Sequence, residues 1–344
     1  MRIPEIQKNV EHCMKANIPV LMLGAPGVGK SQAIRQVAEK QGRELIDLRL
    51  PLLNPVDLRG IPVVKEDKSH WMSPAFLPSD PNSNAIILLD EITSAPPSVQ
   101  VAGYQLVLDR KVGEYELPKK CSILAAGNRT DDRAVVYEMS SALRNRFLHL
   151  EVDVNLEDWK DWAVSRRVDS SIISFLNFKE DQLFAFDPKV HKQNFPTPRS
   201  WEFVDRLVKQ MGTDEAVANR DLISGLIGQG AATEFAAFVQ IMHKLPDPAE
   251  VVIKRNMKTK CPSDPSSRYA FSGALNSCAL HAKDFVQATL NLSKYCEVAF
   301  PVEFAVLTLK DLARTVEFKK NFQKIIASQE WRDLAKKHGS LVLD

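Results

Sequence analysis

The stretch richest in potential chemistry is Gly24-Ala25-Pro26-Gly27-Val28-Gly29-Lys30-Ser31, which sets glycines, a lysine and a hydroxyl at the spacing G-x-x-x-x-G-K-S. Small residues at that spacing let backbone N–H groups wrap a polyphosphate at the positive end of a following helix. Lys30 is then placed to reach the β- and γ-phosphates, and the Ser31 hydroxyl to ligate Mg²⁺. The flanks suit this chemistry. A short apolar run, Ile18 to Leu23, reads as a buried strand before the loop, and Gln32 to Lys40 reads as a helix after it. A chance glycine turn is the competing reading, and it explains neither flank.

A second pair of groups belongs to the same chemistry. Ala85-Ile86-Ile87-Leu88-Leu89 is a continuous apolar run of the kind buried in a parallel sheet, and it ends in Asp90-Glu91. A carboxylate at the carboxyl end of a central strand lies beside a phosphate loop, so Asp90 is placed to hold Mg²⁺ through its water shell. Glu91 is placed to orient and deprotonate an attacking water. A strand followed by an acidic helix start, near Pro96 and Pro97, would give the same residues without that role. Another strand candidate, Ser122 to Ala126, runs into Gly127-Asn128-Arg129-Thr130, where Asn128 could bond the γ-phosphate or the attacking water, or could simply form a turn.

These groups need a scaffold, and the rest of the first 150 residues reads as one. Residues 4 to 16 suggest an amphipathic lead-in helix with Ile6, Val10 and Met14 at spacings of four. Glu44 to Leu50 is a strand candidate, followed by a Pro-rich passage from Pro51 to Pro62. Ile61 to Met72 and Lys111 to Pro118 read as hairpins around charged or glycine turns. Between them a helix from Ser98 to Arg110 presents Val101, Tyr104 and Leu108 on one face. Met139 to Phe147 leads into a fifth strand, Phe147 to Val152. Five strands alternating with helices predict an α/β fold with a parallel sheet covered on both faces.

Beyond residue 150 the pattern is helical. Residues 155 to 185 hold Trp159, Trp162, Ile172, Ile173, Phe175, Leu176 and Phe178, and helices are expected over Trp201 to Met211, Ala216 to Ile227 and Thr233 to Lys244. A Pro/Ser-rich loop, Cys261 to Ser267, precedes two or three further helices reaching Leu343. The basic stretch Lys254 to Lys260 is either a solvated face or a nucleic-acid contact.

In their order and spacing these pieces resemble an AAA+ ATPase of the MoxR-like, helix-2-insert group, from residue 1 to about 245. Gly24 to Ser31 resembles Walker A, Ala85 to Glu91 Walker B, and Ala125-Ala126-Gly127-Asn128 the sensor 1 strand. Ala142-Leu143-Arg144-Asn145-Arg146-Phe147 resembles the segment carrying the family's arginine finger, and Pro196 to Trp201 resembles sensor 2. The resemblance implies an AAA+ P-loop NTPase core over 1–153, an all-helical lid over 154–250, and a helical C-terminal region over 251–344. It makes Arg146 the finger, with Arg144 able to share or replace it, and Arg199 the lid's sensor. Pairing of the first two with Glu138 or Glu151, and of Arg199 with Glu202, is the competing reading. The hairpin at 61–72 corresponds to the family's helix-2 insert and that at 111–118 to the hairpin before sensor 1. In related ring ATPases both face the central channel, so Trp71, Met72 and Tyr115 either touch a partner or fill the core.

The same resemblance implies a self-assembled ring, a hexamer, that turns over ATP and Mg²⁺ to remodel or mature a client protein, often beside a von Willebrand factor A domain partner. The alternatives are a motor subunit acting on DNA or RNA and a nucleotide-gated assembly scaffold. The presence of both Asp90 and Glu91 argues against the scaffold, which needs no water-activating carboxylate. Across 344 residues, 45 basic and 43 acidic side chains leave a net charge of +2, so no global field argues for nucleic acid or an anionic membrane. The five cysteines are scattered without a C-x-x-C pair, which suits a reducing compartment. The first residues lack the apolar core of a signal peptide and no run approaches a membrane span, so a soluble, cytoplasmic protein is expected.

Overall fold

The computed structural model describes residues 1–132, 137–187 and 194–338, and the chain forms two compact units that part between Val154 and Asn155. The first unit is built on a five-stranded parallel sheet. Its strands are β1 (Val20–Leu23), β2 (Leu45–Arg49), β5 (Ile86–Asp90), β8 (Ser122–Gly127) and β9 (Leu148–Glu151), in the order β2-β5-β8-β1-β9. Every residue of β5 and β8 is buried, as expected of central strands covered on both faces. Leu21, Ile87, Leu89, Ile123 and Ala125 point to one side and join a core with Val99, Ala102 and Leu106 of α4 (Pro97–Asp109). On the other side α2 (Lys30–Gln41) packs against β5 and β8, and α1 (Ile3–Lys15) packs on α2, burying Ile6, Val10, Cys13 and Met14.

Between β2 and β5 the Pro-rich passage is not irregular throughout. It contains a 3₁₀ turn at Leu50–Leu52 and a short helix α3 (Pro55–Arg59) entered through Asn54, whose N–H donates to the Asp57 carboxylate at 2.7 Å. Strands β3 (Ile61–Lys65) and β4 (Lys68–Met72) form the first expected hairpin and β6 (Lys111–Val112) and β7 (Tyr115–Glu116) the second, both antiparallel. The face of α4 that carries Val101 is not the one against the sheet. Val101 is 61% exposed, and Val99, Ala102 and Leu106, one register over, face the sheet instead. After β8, helix α5 (Ser141–Arg144) starts at Ser140, whose hydroxyl accepts from Leu143 N.

The second unit is all helical. It comprises α6 (Leu156–Ser165), α7 (Ser170–Phe178), α8 (Pro198–Met211), α9 (Thr213–Ala218), α10 (Arg220–Ile227), α11 (Gln229–Met242), α12 (Pro248–Val252), α13 (Pro265–Leu280), α14 (Phe285–Val298), α15 (Val302–Ala313), α16 (Val316–Ile326) and α17 (Gln329–His338). The single helix expected over 216–227 is two, broken at Asn219, whose ψ of 63° leaves the helical region. Five helices, not two or three, follow the Pro/Ser-rich loop among the described residues, and the expected end at Leu343 lies outside them. Phe175 packs against Trp201, Phe235 and Phe238 at ring separations of 5.4–5.6 Å, the geometry favoured by aromatic quadrupoles. The Trp201 indole donates to Gln182 O at 2.7 Å, so the buried N–H is satisfied. Lys160 is only 1% exposed, and its ammonium lies 2.7 Å from Asp311 and 3.0 Å from Glu157, joining α6 to α15. Among the described residues no helix is long and apolar enough to cross a membrane.

Candidate nucleotide site

The phosphate loop leaves β1 and enters α2 through Gly29, with Gly27 at φ 78° and Gly29 at φ 95°. Side chains rarely adopt that left-handed region, which is why glycine stands at both positions. Gly24 has a different reason: a Cβ there would press on Val152 O at 3.2 Å and Val28 Cγ2 at 3.3 Å. Lys30 folds its ammonium over the loop, donating to Gly24 O at 2.7 Å and Ala25 O at 2.9 Å, and reaches Asn128 Oδ1 at 3.0 Å. The Ser31 hydroxyl donates to the Asp90 carboxylate, 2.9 Å from each oxygen. Residues separated by 98 and 59 positions in sequence thus meet at the carboxyl ends of β1, β5 and β8. The donor set fits a nucleotide with Mg²⁺: hard oxygens from Ser31 and Asp90 for the cation, and a cation and N–H groups for the phosphates.

Glu91 sits at the tip of β5 with its side chain exposed and its backbone at φ 56°, ψ 34°, a conformation costly for a glutamate. Two hydrogen bonds and the burial of the next residue hold it there. Its N–H donates to Asp90 Oδ1 at 3.0 Å, its carbonyl accepts from Ser94 N at 2.9 Å, and the following Ile92 is buried. The 3₁₀ turn Ile92–Ser94 then supplies a residue that sequence reasoning missed. Thr93 is 5% exposed, and its hydroxyl accepts the Asn128 N–H at 2.9 Å. Its carbonyl accepts the Tyr137 N–H at 2.7 Å. Gly127 makes this approach possible, because a Cβ there would lie 2.7 Å from both Thr93 Oγ1 and Cγ2. The signal in sequence was the Gly127-Asn128 pair, but nothing local named its partner.

The arginines separate by environment. Arg144 is exposed but engaged, 3.7 Å from Glu138 and donating to Met139 O at 3.3 Å. Arg146 is exposed and its side chain makes no ion pair or hydrogen bond among the described residues, so neither Glu138 nor Glu151 holds it. Arg199 belongs to the second unit, exposed on the first turn of α8. Glu202 pairs with Arg206 at 2.6 Å instead of with Arg199.

The two hairpins touch each other. Glu114, at the turn of the second, accepts from Trp71 N at 3.3 Å and lies 3.3 Å from His70 Nδ1. Gly113, at φ 59°, brings the turn within 3.2 Å of Arg59 O and 3.4 Å of Trp71 Cβ as measured from a Cβ built on it. Ile61, Val64 and Met72 are 65%, 81% and 60% exposed and Trp71 37%, so Met72 and Trp71 are not core fillers. Tyr115 differs: it packs against the core of the first unit, its hydroxyl donates to Pro78 O at 2.8 Å, and burial pushes its phenol up to about 12.

A family model matches within this same unit. Residues 19–147 match the model of the AAA domain (dynein-related subfamily). Midasin of Giardia intestinalis is 30% identical over 156 residues, which is 43% of this chain and 3% of that protein, so the chain corresponds to a small fraction of that relative's length. Among solved structures, an ATPase of Cytophaga hutchinsonii described as putative is 15% identical, with a TM-score of 0.35 over 96% of this chain and 88% of that one. The RuvB Holliday junction branch migration motor of Thermotoga maritima is also 15% identical, with a TM-score of 0.40 over 85% and 87%. NtrX of Brucella abortus, in complex with ADP, is 12% identical, with a TM-score of 0.35 over 98% and 68%. Likeness at that level says nothing of what this chain acts on. With the sheet order, the phosphate loop and the Ser31–Asp90 and Lys30–Asn128 contacts in place, the residues that match the AAA-domain model, 19–147, have the P-loop nucleotide fold.

Proposed function

We propose that the chain hydrolyses ATP with Mg²⁺ in a ring of its own copies, and that hydrolysis drives the remodelling of a client protein. The observation that carries the reading is the convergence of Lys30, Ser31, Asp90 and Asn128 at one end of the sheet, beside the exposed Glu91. Ser31 and Asp90 would hold Mg²⁺, which when bound neutralises charge on the β- and γ-phosphates. Lys30 leaves the loop carbonyls for the phosphates, and Asn128, already bonded to Lys30, is placed to orient the γ-phosphate or the water. Glu91 takes the proton of the attacking water as general base. Arg146, exposed and without a partner among the described residues, supplies charge to a neighbouring copy's site, with Arg144 as its substitute and Arg199 acting from the helical unit.

A protein client is favoured over nucleic acid by the first hairpin. Ile61 and Met72, paired across the strands, are exposed on one face and Val64 on the other, and the turn sets Lys65 and Lys68 against Glu66 and Asp67, which offers a polyanion no net attraction. Phosphate release measured with and without Mg²⁺, for the wild type and Glu91→Gln, tests the reading. The expected result is Mg²⁺-dependent release that falls by about a hundredfold or more in Glu91→Gln while nucleotide binding is retained. Equal release by both proteins would refute it. Client capture by the same variant addresses the second half, and recovery of nucleic acid alone would remove the protein-remodelling reading.

A further inference from the structure

We infer that Thr93 is a positioning residue that sets Asn128 against the γ-phosphate and registers it to the Glu91 turn; this rests on the ATPase reading above. Thr93 stands two residues after the proposed general base, inside the 3₁₀ turn that fixes the left-handed Glu91 backbone. From there it reaches two other segments. Its hydroxyl accepts the Asn128 N–H at 2.9 Å, and its carbonyl accepts the N–H of Tyr137 at 2.7 Å, at the start of the stretch that leads through Met139 into α5 and the two arginines. Asn128 in turn holds Lys30 at 3.0 Å through its side chain. One buried threonine therefore ties the water-activating turn, the sensor and the approach to Arg144 and Arg146.

The contact is built and not incidental. Thr93 is 5% exposed, Gly127 is the residue type that lets it come so close, and the Asn128 N–H at the end of β8 has its donor satisfied by this hydroxyl. A one-residue shift in either the turn or the strand would orphan that N–H, and a displacement of Asn128 by about 1 Å is enough to impair phosphoryl transfer substantially.

Thr93→Val keeps the shape and removes the acceptor; Thr93→Ser keeps the acceptor and trims the methyl. The proposal predicts that Thr93→Val lowers kcat about tenfold with KM for ATP changed less than about twofold, and that Thr93→Ser stays within about threefold of the wild type. In an Asn128→Ala background Thr93→Val should add less than about twofold, because both changes disable one unit. Amide exchange at Asn128 in nucleotide-free protein gives a reading independent of turnover: it should quicken in Thr93→Val and not in Thr93→Ser. Unchanged Asn128 exchange in folded Thr93→Val, a full tenfold loss on top of Asn128→Ala, or a large kcat loss in folded Thr93→Ser would each overturn the positioning role. A wild type with no Mg²⁺-dependent hydrolysis would instead overturn the ATPase reading beneath it, so the two failures are distinguishable.

Discussion

Gly127 shows how narrowly the site is built at the level of single residues. Its missing Cβ is the space into which Thr93 packs, and Gly127→Ala would place a methyl 2.7 Å from two Thr93 atoms. Overpacking of this kind costs about 1–3 kcal/mol. Denaturant unfolding of the first unit should show that loss, and ATP turnover should fall with it because Asn128 is pushed off its register. A substitution that leaves the unfolding midpoint unchanged would mean that the Thr93 contact is not tight. The phosphate loop and Asp90-Glu91 were legible in the sequence because their chemistry is local: glycine, lysine, hydroxyl and carboxylate at fixed short spacings. Thr93 was not, because its part depends on a neighbouring strand more than thirty residues on, and a threonine after an acidic pair carries no signal of its own. Tyr115 was left open between partner contact and core filler, since an aromatic on a hairpin reads equally well as exposed or as anchored until its bond to Pro78 is seen.

Among the elements, the two hairpins and the helices around Lys160 carry the clearest consequences. Pro62 pairs with Trp71 across the first hairpin, at a position where Trp71 turns its N–H outward to Glu114. Glu114→Ala should therefore free the Trp71 amide: its hydrogen exchange should quicken, while global stability changes by less than about 1 kcal/mol because the contact is exposed. Unaltered exchange at Trp71 would show that the hairpins move independently. This link was invisible in the sequence, where a glutamate beside a turn glycine reads only as solvated. Which face of α4 turns to the sheet was open for a similar reason, since a 3–4 spacing of apolar residues fits two stripes of a helix that is buried on one side and apolar on both. In the second unit, burial works to raise the Glu157 carboxyl, but Lys160 and Arg314 outweigh it and hold the group below its ordinary 4.5. A carboxyl depressed on folding contributes stability that is complete above 4.5 and is lost as pH falls through the depressed value. The acid side of the melting-temperature profile should accordingly flatten in Glu157→Gln, modestly because the side chain is half exposed. An identical acid limb in both proteins would place the acid sensitivity elsewhere.

At the scale of the whole molecule, the account turns on what one copy of the chain lacks. Its net charge of +2 gives no general attraction to a polyanion, and the phosphate end of the sheet carries Lys30 from its own unit. Arg146 is exposed, projects from the segment before β9, and has no partner among the described residues, which is the condition expected of a group that acts on a neighbour. A site shared between copies makes turnover depend on assembly, so the most direct test is specific ATPase activity against protein concentration for the wild type and Arg146→Ala together. The account predicts activity per chain that climbs with concentration to a plateau in the wild type, and a loss of about a thousandfold in Arg146→Ala with nucleotide binding intact. Activity per chain that is flat with concentration and indifferent to Arg146 would contradict the shared site, and with it the ring-borne remodelling mechanism.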